Sequence, residues 1–391
     1  MLRESPRVLH VVWNLIRGGT EGQCARAAME LARRGFVHRV AVFRREGFFL
    51  DAVERVCGPV REIGIRGMFQ WSTARAIRRL AARLRDEQFD LLHTWDADAA
   101  IFGQFAAALA GVPLITSRRD LGQIYPPHKM WGLRRADRQA AAIVANARAI
   151  VEYFAARGAA REKFVVIPNL LDVQEFDEQA GRAFSRAADL PPGELIVMVA
   201  RLDPEKDHRT FLRAAARVAA ARRDVSFVLA GDGVERARLE RMACDLGIAA
   251  RVFFAGDITD VPALLRNATI GVLTPSRNEG LSNTILEYMA ARLPVVATDC
   301  GGNRELVDPP RGGEIVPPGD DAALADCLVE LLRDPERRRA LGADNRRRVE
   351  REHTPSVVGD KFLSLYAAVA GSARRRAQRG AERTASARNP A

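Results

Sequence analysis

Long uncharged apolar runs are missing from the 391-residue chain. None reaches the roughly 18 residues that a spanning helix requires, so a membrane-embedded protein is not expected. The start of the chain, MLRESPRVLHVVWNLIRGG, does not read as a secretory leader. Its apolar stretch is short, has the pattern of a β-strand and runs into a glycine turn rather than a small-residue cleavage site. A cytoplasmic protein is the expectation. Cysteine is also sparse: Cys24, Cys57, Cys244, Cys300 and Cys327 are scattered, odd in number and never spaced C-x-x-C. That pattern suggests neither a disulfide framework nor a structural zinc site. Aromatic residues make up only 6% of the chain and form no stacking motif among the basic residues. This argues against a nucleic-acid-binding protein.

What the chain has in excess is positive charge, a net +11 dominated by arginine. Such a balance fits an anionic partner: nucleic acid, an acidic membrane surface or a phosphorylated substrate. Part of it is local, because residues 373–391 hold six arginines against one glutamate. That basic tail, poor in apolar residues, is expected to be disordered. With 48% hydrophobic and 28% charged residues, the composition is that of an ordinary globular protein. The length exceeds one comfortable core and implies two domains.

Short β-branched runs alternate with longer amphipathic segments, the pattern of parallel α/β layering. In the first half, strands are expected at Val8–Trp13, Arg39–Phe43, Val60–Ile65, Asp90–Thr94, Pro113–Thr116, Ala142–Ala145 and Phe164–Ile167. In the second half they fall at Leu195–Val199, Val225–Ala230, Val252–Phe254, Ile270–Leu273, Val295–Thr298 and Glu314–Val316. Helices such as Glu21–Arg34 and His208–Arg222 lie between them. The fold class is therefore α/β, with two doubly wound, Rossmann-like domains facing across a cleft. Their expected extents are 1–180 and 194–352, followed by a C-terminal helix over 353–372 that packs back on the first domain. Ligands of such sheets bind beyond the carboxyl ends of the strands.

Several strand ends carry candidate chemistry. After the strand ending at Ala200, Arg201 and Lys206 follow within one short loop, and Asp207 can cap the next helix. Two cations beside a helix start suit a diphosphate; a solvated basic loop is the plainer reading. In RNEGLSNTILEYMAARLPVVATD, Leu281, Ser282, Asn283 and Thr284 open a helix whose first N–H groups lack partners. Ser282 or Asn283 can cap it. Glu279 lies just outside and Glu287 about one turn inside, so the pair either brackets a charged ligand or consists of ordinary surface charges. Gly18-Gly19 lets backbone approach a ligand closely after the first strand, though such turns are common in α/β domains. Gly231-Asp232-Gly233 is a similar turn. His93 ends a strand facing the expected cleft, with a structural role as the alternative. Arg118, Arg119 and Asp120 follow another strand and either contact the acceptor or form an ion-paired loop.

Together, ARLDPEKD, LAGDGVER, the 277–299 stretch and the GGTEGQ loop, in this order and spacing, resemble retaining glycosyltransferases of family 4, with the GT-B fold. The likeness spans nearly the whole chain and is densest from Val197 to Val307. It implies a UDP- or GDP-sugar donor held mainly by the second domain and a glycan or lipid-linked acceptor held mainly by the first. Arg201 and Lys206 would bind the diphosphate, Glu279 the donor sugar and Glu287 the ribose. Gly18, Gly19, Gly280, Leu281, Ser282 and Asn283 would complete the donor site, with Arg118 and Arg119 on the acceptor side. Neither metal nor cofactor is required, because cations and the helix terminus take the metal's place. Relatives often carry His-x-His where this chain has His93-Thr94-Trp95, which weakens a catalytic assignment for His93. The SRRD loop occurs in a subset of bacterial relatives that build surface polysaccharide, pointing to cell-envelope or exopolysaccharide assembly. Peripheral contact with an anionic membrane is a further expectation, from the stripe Ile77, Leu80, Ala81 and Leu84 flanked by arginines; packing of that helix on the first sheet is its alternative. A nucleotide-sugar epimerase or a phosphorylase on a similar frame, and a non-enzymatic nucleic-acid binder, are the competing readings.

Overall fold

The computed structural model describes residues 5–64 and 71–387. Its first sheet contains β1 (Val8–Val12), β2 (His38–Val42), β3 (Arg61–Glu62), β4 (Leu91–Thr94), β5 (Leu114–Arg118), β6 (Ala142–Ala145) and β7 (Phe164–Val166). The second contains β8 (Glu194–Val199), β9 (Val225–Ala230), β10 (Val252–Gly256), β11 (Ile270–Leu273), β12 (Val295–Thr298) and β13 (Gly313–Val316). Their orders are 3-2-1-4-5-6-7 and 10-9-8-11-12-13. Every recorded strand pairing is parallel. Runs such as VLHVV and VSFVLA, buried along their whole length, suit sheets covered by helices on both faces. This is the expected pair of doubly wound domains.

Strand order reverses between β1 and β4 in one sheet and between β8 and β11 in the other, and crevices open at such switch points. The second is held open by a side chain. β8 and β11 pair only at Ile196–Ile270 and Val197–Gly271. Past that point, the Tyr288 hydroxyl accepts from Val199 N at 2.7 Å and donates to Val272 O at 3.0 Å. Gly271 makes the room, since a Cβ there would lie 2.4 Å from the Tyr288 ring. The helix Asn283–Ala290 is thereby pinned directly behind the crevice.

Two expectations change, and one open alternative is decided. The helix Pro355–Ala387 runs through most of the stretch from Ala373 that was expected to be disordered. Alanine and arginine are strong helix formers, and Arg374 is tied to Asp90 at 3.1 Å; residues 388–391 lie outside the described residues. Along the same helix, Val358, Phe362, Leu365, Tyr366 and Ala370 share one core with Val8, Leu31 and Leu91 of the first domain. The strand expected at Val60–Ile65 is a two-residue edge, Arg61–Glu62, and Ile65 lies outside the described residues. Finally, of the two readings of the stripe at residues 77–84, packing on the first sheet is the one found: Leu80, Ala81 and Leu84 are buried with Leu9, Val11 and Leu92, and Ile77 packs against them. A helix over a parallel sheet must bury one face, and this is that face.

Candidate active site

Between the domains lies a cleft of about 520 Å³, within the size range of small-molecule sites. Its walls are strand-end loops. From the first domain come Gly18 and Gly19 after β1 and Arg119 after β5; from the second come Arg201 and Lys206 after β8 and, after β11, Glu279, residues 281–284 and Glu287.

On the second wall, Ser282 caps the 283–290 helix, its hydroxyl accepting from Ile285 N at 3.3 Å. Asp207, with φ +49°, caps the start of the helix His208–Ala221 by accepting from Thr210 N at 3.3 Å. That left-handed turn places Lys206 on the cleft, where its Nζ lies 2.6 Å from Glu279 Oε2. Arg201, largely exposed, is flanked by Asp203 at 3.0 Å and Glu205 at 3.6 Å. Glu287 also faces the cleft. Burial pushes its carboxyl up to about 7, against the pull of Arg26 and Arg17. Residues eight apart in sequence thus end on one wall in different electrostatic settings. Glu279 is paired with a cation, whereas the Glu287 carboxyl forms no hydrogen bond among the described residues.

The domains are clasped beneath this wall by amides. Asn169 Nδ2 donates to Leu281 O and to Asn283 Oδ1, both at 2.7 Å. Gln23 Nε2 donates to Leu170 O at 2.9 Å and to Asn283 Oδ1 at 3.0 Å. Gly280 is buried and does not line the cleft. It is the point of closest approach, because a Cβ there would sit 2.0 Å from Arg119 O. Its part is to let the two loops touch, not to reach ligand.

Arg119 projects into the cleft. Its Nη1 donates to Asn169 Oδ1 at 2.7 Å, its guanidinium lies 4.7 Å from the Trp95 ring centroid, and its Nε is buried without a partner. Burial brings its pKa down to about 10. Behind it is a smaller pocket lined by Thr20, Asp96, Arg119, Asp120 and Tyr125, among others. Burial pushes the Asp96 carboxyl up to about 7, although it accepts from Trp13 N at 2.7 Å and Ala99 N at 2.8 Å. Asp120 is likewise raised by burial and accepts from the Tyr125 hydroxyl at 2.7 Å.

Besides Gly280, two candidates are not brought to the cleft. Arg118 is 3% exposed, locked to Asp137 through a buried ion pair, and only backs the smaller pocket. His93 is fully buried: its Nδ1 is 2.8 Å from the Tyr366 hydroxyl and its Nε2 2.9 Å from the Ser117 hydroxyl. Burial lowers its pKa to about 3, so it stays neutral. Side chains alternate along β4, and His93 points under the C-terminal helix. Sequence reading missed Arg17, Arg26, Thr20 and Asn169, which line the cleft. Arg17 donates across it to Ile258 O at 2.9 Å. Its place directly before the Gly18-Gly19 turn was the available signal; Asn169, after β7, had none.

Residues 17–175 match the family described as Glycosyltransferase Family 4, and residues 193–334 match Glycosyl transferases group 1. The alpha-D-kanosaminyltransferase of Streptomyces kanamyceticus is 30% identical over 285 residues, covering 68% of this chain and 74% of that protein. The GDP-mannose-dependent monoacylated alpha-(1-6)-phosphatidylinositol monomannoside mannosyltransferase of Corynebacterium glutamicum is 28% identical, over 73% of this chain and 78% of its own. Among solved structures, Anabaena HepE in complex with UDP-glucose superposes with a TM-score of 0.82 at 20% identity, over 93% of this chain and all of that one. The sucrose-phosphate synthase of Thermosynechococcus elongatus gives 0.78 at 18% identity, over 94% of this chain and all of its own. The fold is GT-B. The chain belongs to glycosyltransferase family 4 and is a glycosyltransferase.

Proposed function

We propose that the protein transfers a sugar, with retention of anomeric configuration and without a metal, from a UDP- or GDP-sugar to a glycan or lipid-linked acceptor. The carrying observation is that Arg201, Lys206 and the capped start of the 283–290 helix share one wall, between Glu279 and Glu287. A diphosphate there meets two cations and unpaired backbone N–H groups, which is the charge neutralisation a metal would otherwise supply. Glu279 then accepts from hydroxyls of the donor sugar while Lys206, already beside it, bridges to phosphate. Glu287 accepts from the ribose. The anomeric carbon lies toward Gly18, Gly19 and Arg119. The acceptor oxygen bonds to that carbon on the face the phosphate leaves, as the carbon–phosphate-oxygen bond breaks. The acceptor proton passes to the departing phosphate oxygen. Arg119 faces both cleft and smaller pocket, so the acceptor is assigned to the first domain. His93 and Arg118 take no direct part.

UDP- and GDP-linked sugar donors are both compatible with this wall. The activities of the Corynebacterium relative and of a lipopolysaccharide core mannosyltransferase from Rhizobium leguminosarum support a role in envelope-glycan assembly. No helix among the described residues is long and apolar enough to cross a membrane. The test is a thermal-shift screen of nucleoside diphosphates and their sugars, then turnover with the stabilising donor, with and without EDTA. Donor-dependent stabilisation and an EDTA-insensitive α-linked product from an α-donor are expected. No stabilisation by any nucleotide would overturn the donor site, loss of turnover in EDTA the metal-free chemistry, and an inverted product the retention.

A further inference from the structure

One face of the first domain has no role in the site just described. The helix Pro127–Gln139 exposes Trp131, 64% accessible, beside the exposed Arg134, Arg135 and Arg138. Its single carboxylate, Asp137, is buried against Arg118, so this helix shows no acid to solvent. The face continues onto the helix Ala97–Ala110. The Arg135 guanidinium lies 5.6 Å from the Phe105 ring centroid, and Phe105 and Leu109, one turn apart, are 41% and 55% exposed. Arg85, near the end of the helix Trp71–Asp86, reaches Leu109 O at 2.8 Å. Three adjacent helices thus present an aromatic and aliphatic centre edged by arginines.

The upper edge of this face is the rim of the active site. Ile124, 51% exposed, belongs to the loop whose Tyr125 donates to Asp120 in the smaller pocket. Gln123 in the same loop bonds across the cleft mouth to Asn278, at 3.1 and 2.8 Å.

We propose that this face docks on an anionic phospholipid surface, with Trp131, Phe105, Leu109 and Ile124 at headgroup depth and the arginines on lipid phosphates. Tryptophan favours that interface, where its ring is shielded and its N–H stays wet. Arg134, Arg135 and Arg138 make no ion pair among the described residues, and the neighbouring Asp98 is taken by Lys129 at 2.8 Å, so these arginines supply the complementary charge. The mixture of exposed aliphatic side chains with arginine separates this face from a nucleic-acid surface, which needs cations but gains nothing from Leu109 or Ile124. The proposal rests on the reading of a lipid-linked acceptor: docking here would present the smaller pocket to a sugar carried at the membrane.

The test is co-sedimentation of the whole protein with vesicles of phosphatidylcholine alone and of phosphatidylcholine mixed with phosphatidylglycerol, at low and high salt. Binding only to the anionic vesicles, weakened by salt, is expected. Charge reversal of Arg134, Arg135 and Arg138 to glutamate should lower partitioning at least roughly a hundredfold, from the attraction each basic residue has for such a surface. Trp131→Ala should lower it roughly tenfold and remove most of the tryptophan quenching by brominated lipid. Melting curves establish that both variants fold, and donor hydrolysis measured without vesicles should be unchanged in them. Equal binding by wild type and the triple variant, no binding to anionic vesicles at low salt, or arginine-dependent binding to nucleic acid or a soluble protein alone would each overturn the docking face. If vesicles bind but no nucleotide-sugar is turned over, the docking face stands and the enzymatic reading falls.

Discussion

On the second domain's wall of the cleft, the cations have carboxylates beside them: Lys206 meets Glu279 at 2.6 Å and Arg201 meets Asp203 at 3.0 Å. Across from it, Arg119 forms no ion pair among the described residues, and is held by an amide oxygen and an indole face. The difference teaches how each wall serves an anion. Paired cations form a preset lattice that a diphosphate joins by sharing Lys206 and Arg201 with their partners. A desolvated guanidinium with no direct ion-pair partner, felt only at longer range by Glu21, instead favours negative charge that appears beside it, which is the condition for stabilising charge during transfer.

The comparison breaks most sharply at Lys206. Lys206→Ala should lower kcat/KM for the donor by about 10²–10³-fold and weaken nucleotide binding with it, in line with loss of one preorganised charge. Unchanged UDP and GDP affinity by calorimetry would remove the diphosphate from this wall. Arg119→Ala should cost about 10–100-fold in kcat with nucleotide affinity nearly kept. Arg119→Lys should not restore the rate, because a point charge cannot reproduce the planar contact with Trp95 and Asn169. A parallel loss of nucleotide affinity would instead put Arg119 in the donor site.

A smaller effect sharpens the contrast between the two glutamates. With its carboxyl raised to about 7, Glu287 must lose its proton to accept from ribose. Nucleotide-sugar affinity should therefore rise as pH increases through about 7. Glu287→Gln should reduce affinity about tenfold at high pH and flatten the profile; an unaltered profile would remove Glu287 from the ribose. In the free protein the linkage has the opposite consequence. The folded state holds this proton more tightly than the unfolded chain, so the contribution of Glu287 to stability declines as pH rises from about 4.5 to 7.

The smallest effect on catalysis is expected at His93. His93→Phe should leave kcat nearly unchanged while orphaning the Tyr366 and Ser117 hydroxyls, at about 1–3 kcal/mol of stability, read from denaturant melts. A collapse of kcat in folded protein would return His93 to the site. Burial also lowers the pKa values of His10 and His38. These histidines stay neutral in the fold but take up protons when unfolded. Stability should fall as pH drops below about 6.5, with a slope of up to roughly 1.4 kcal/mol per pH unit for each histidine held neutral.

The second wall was legible because its groups are local. Arg201 and Lys206 share a loop, and Ser282 and Glu287 sit within one helix and its cap, so strand, turn and helix periodicity place them. The first wall draws on the ends of β1, β5 and β7, and only folding brings Arg17, Arg119 and Asn169 together. Arg118 and Arg119 show the limit most plainly. They are consecutive cations at the end of one strand, and the β alternation sends one into an ion pair with Asp137 and the other into the cleft. The apolar stripe at Leu80–Leu84 had the pattern of either an interfacial or a sheet-packed helix; its periodicity is the same in both.

By itself the sequence determined two parallel α/β domains, their strands, the cationic loop after β8 and the capped helix carrying Glu287. Those features follow from side-chain periodicity and local hydrogen bonding, which act within a few residues. The tertiary structure decided that His93 is buried beneath the C-terminal helix, that Gly280 is a spacer against Arg119, and that an arginine and tryptophan face lies open beside the active-site rim. Each depends on which distant segment covers which surface, a choice made by packing two sheets and a returning helix together.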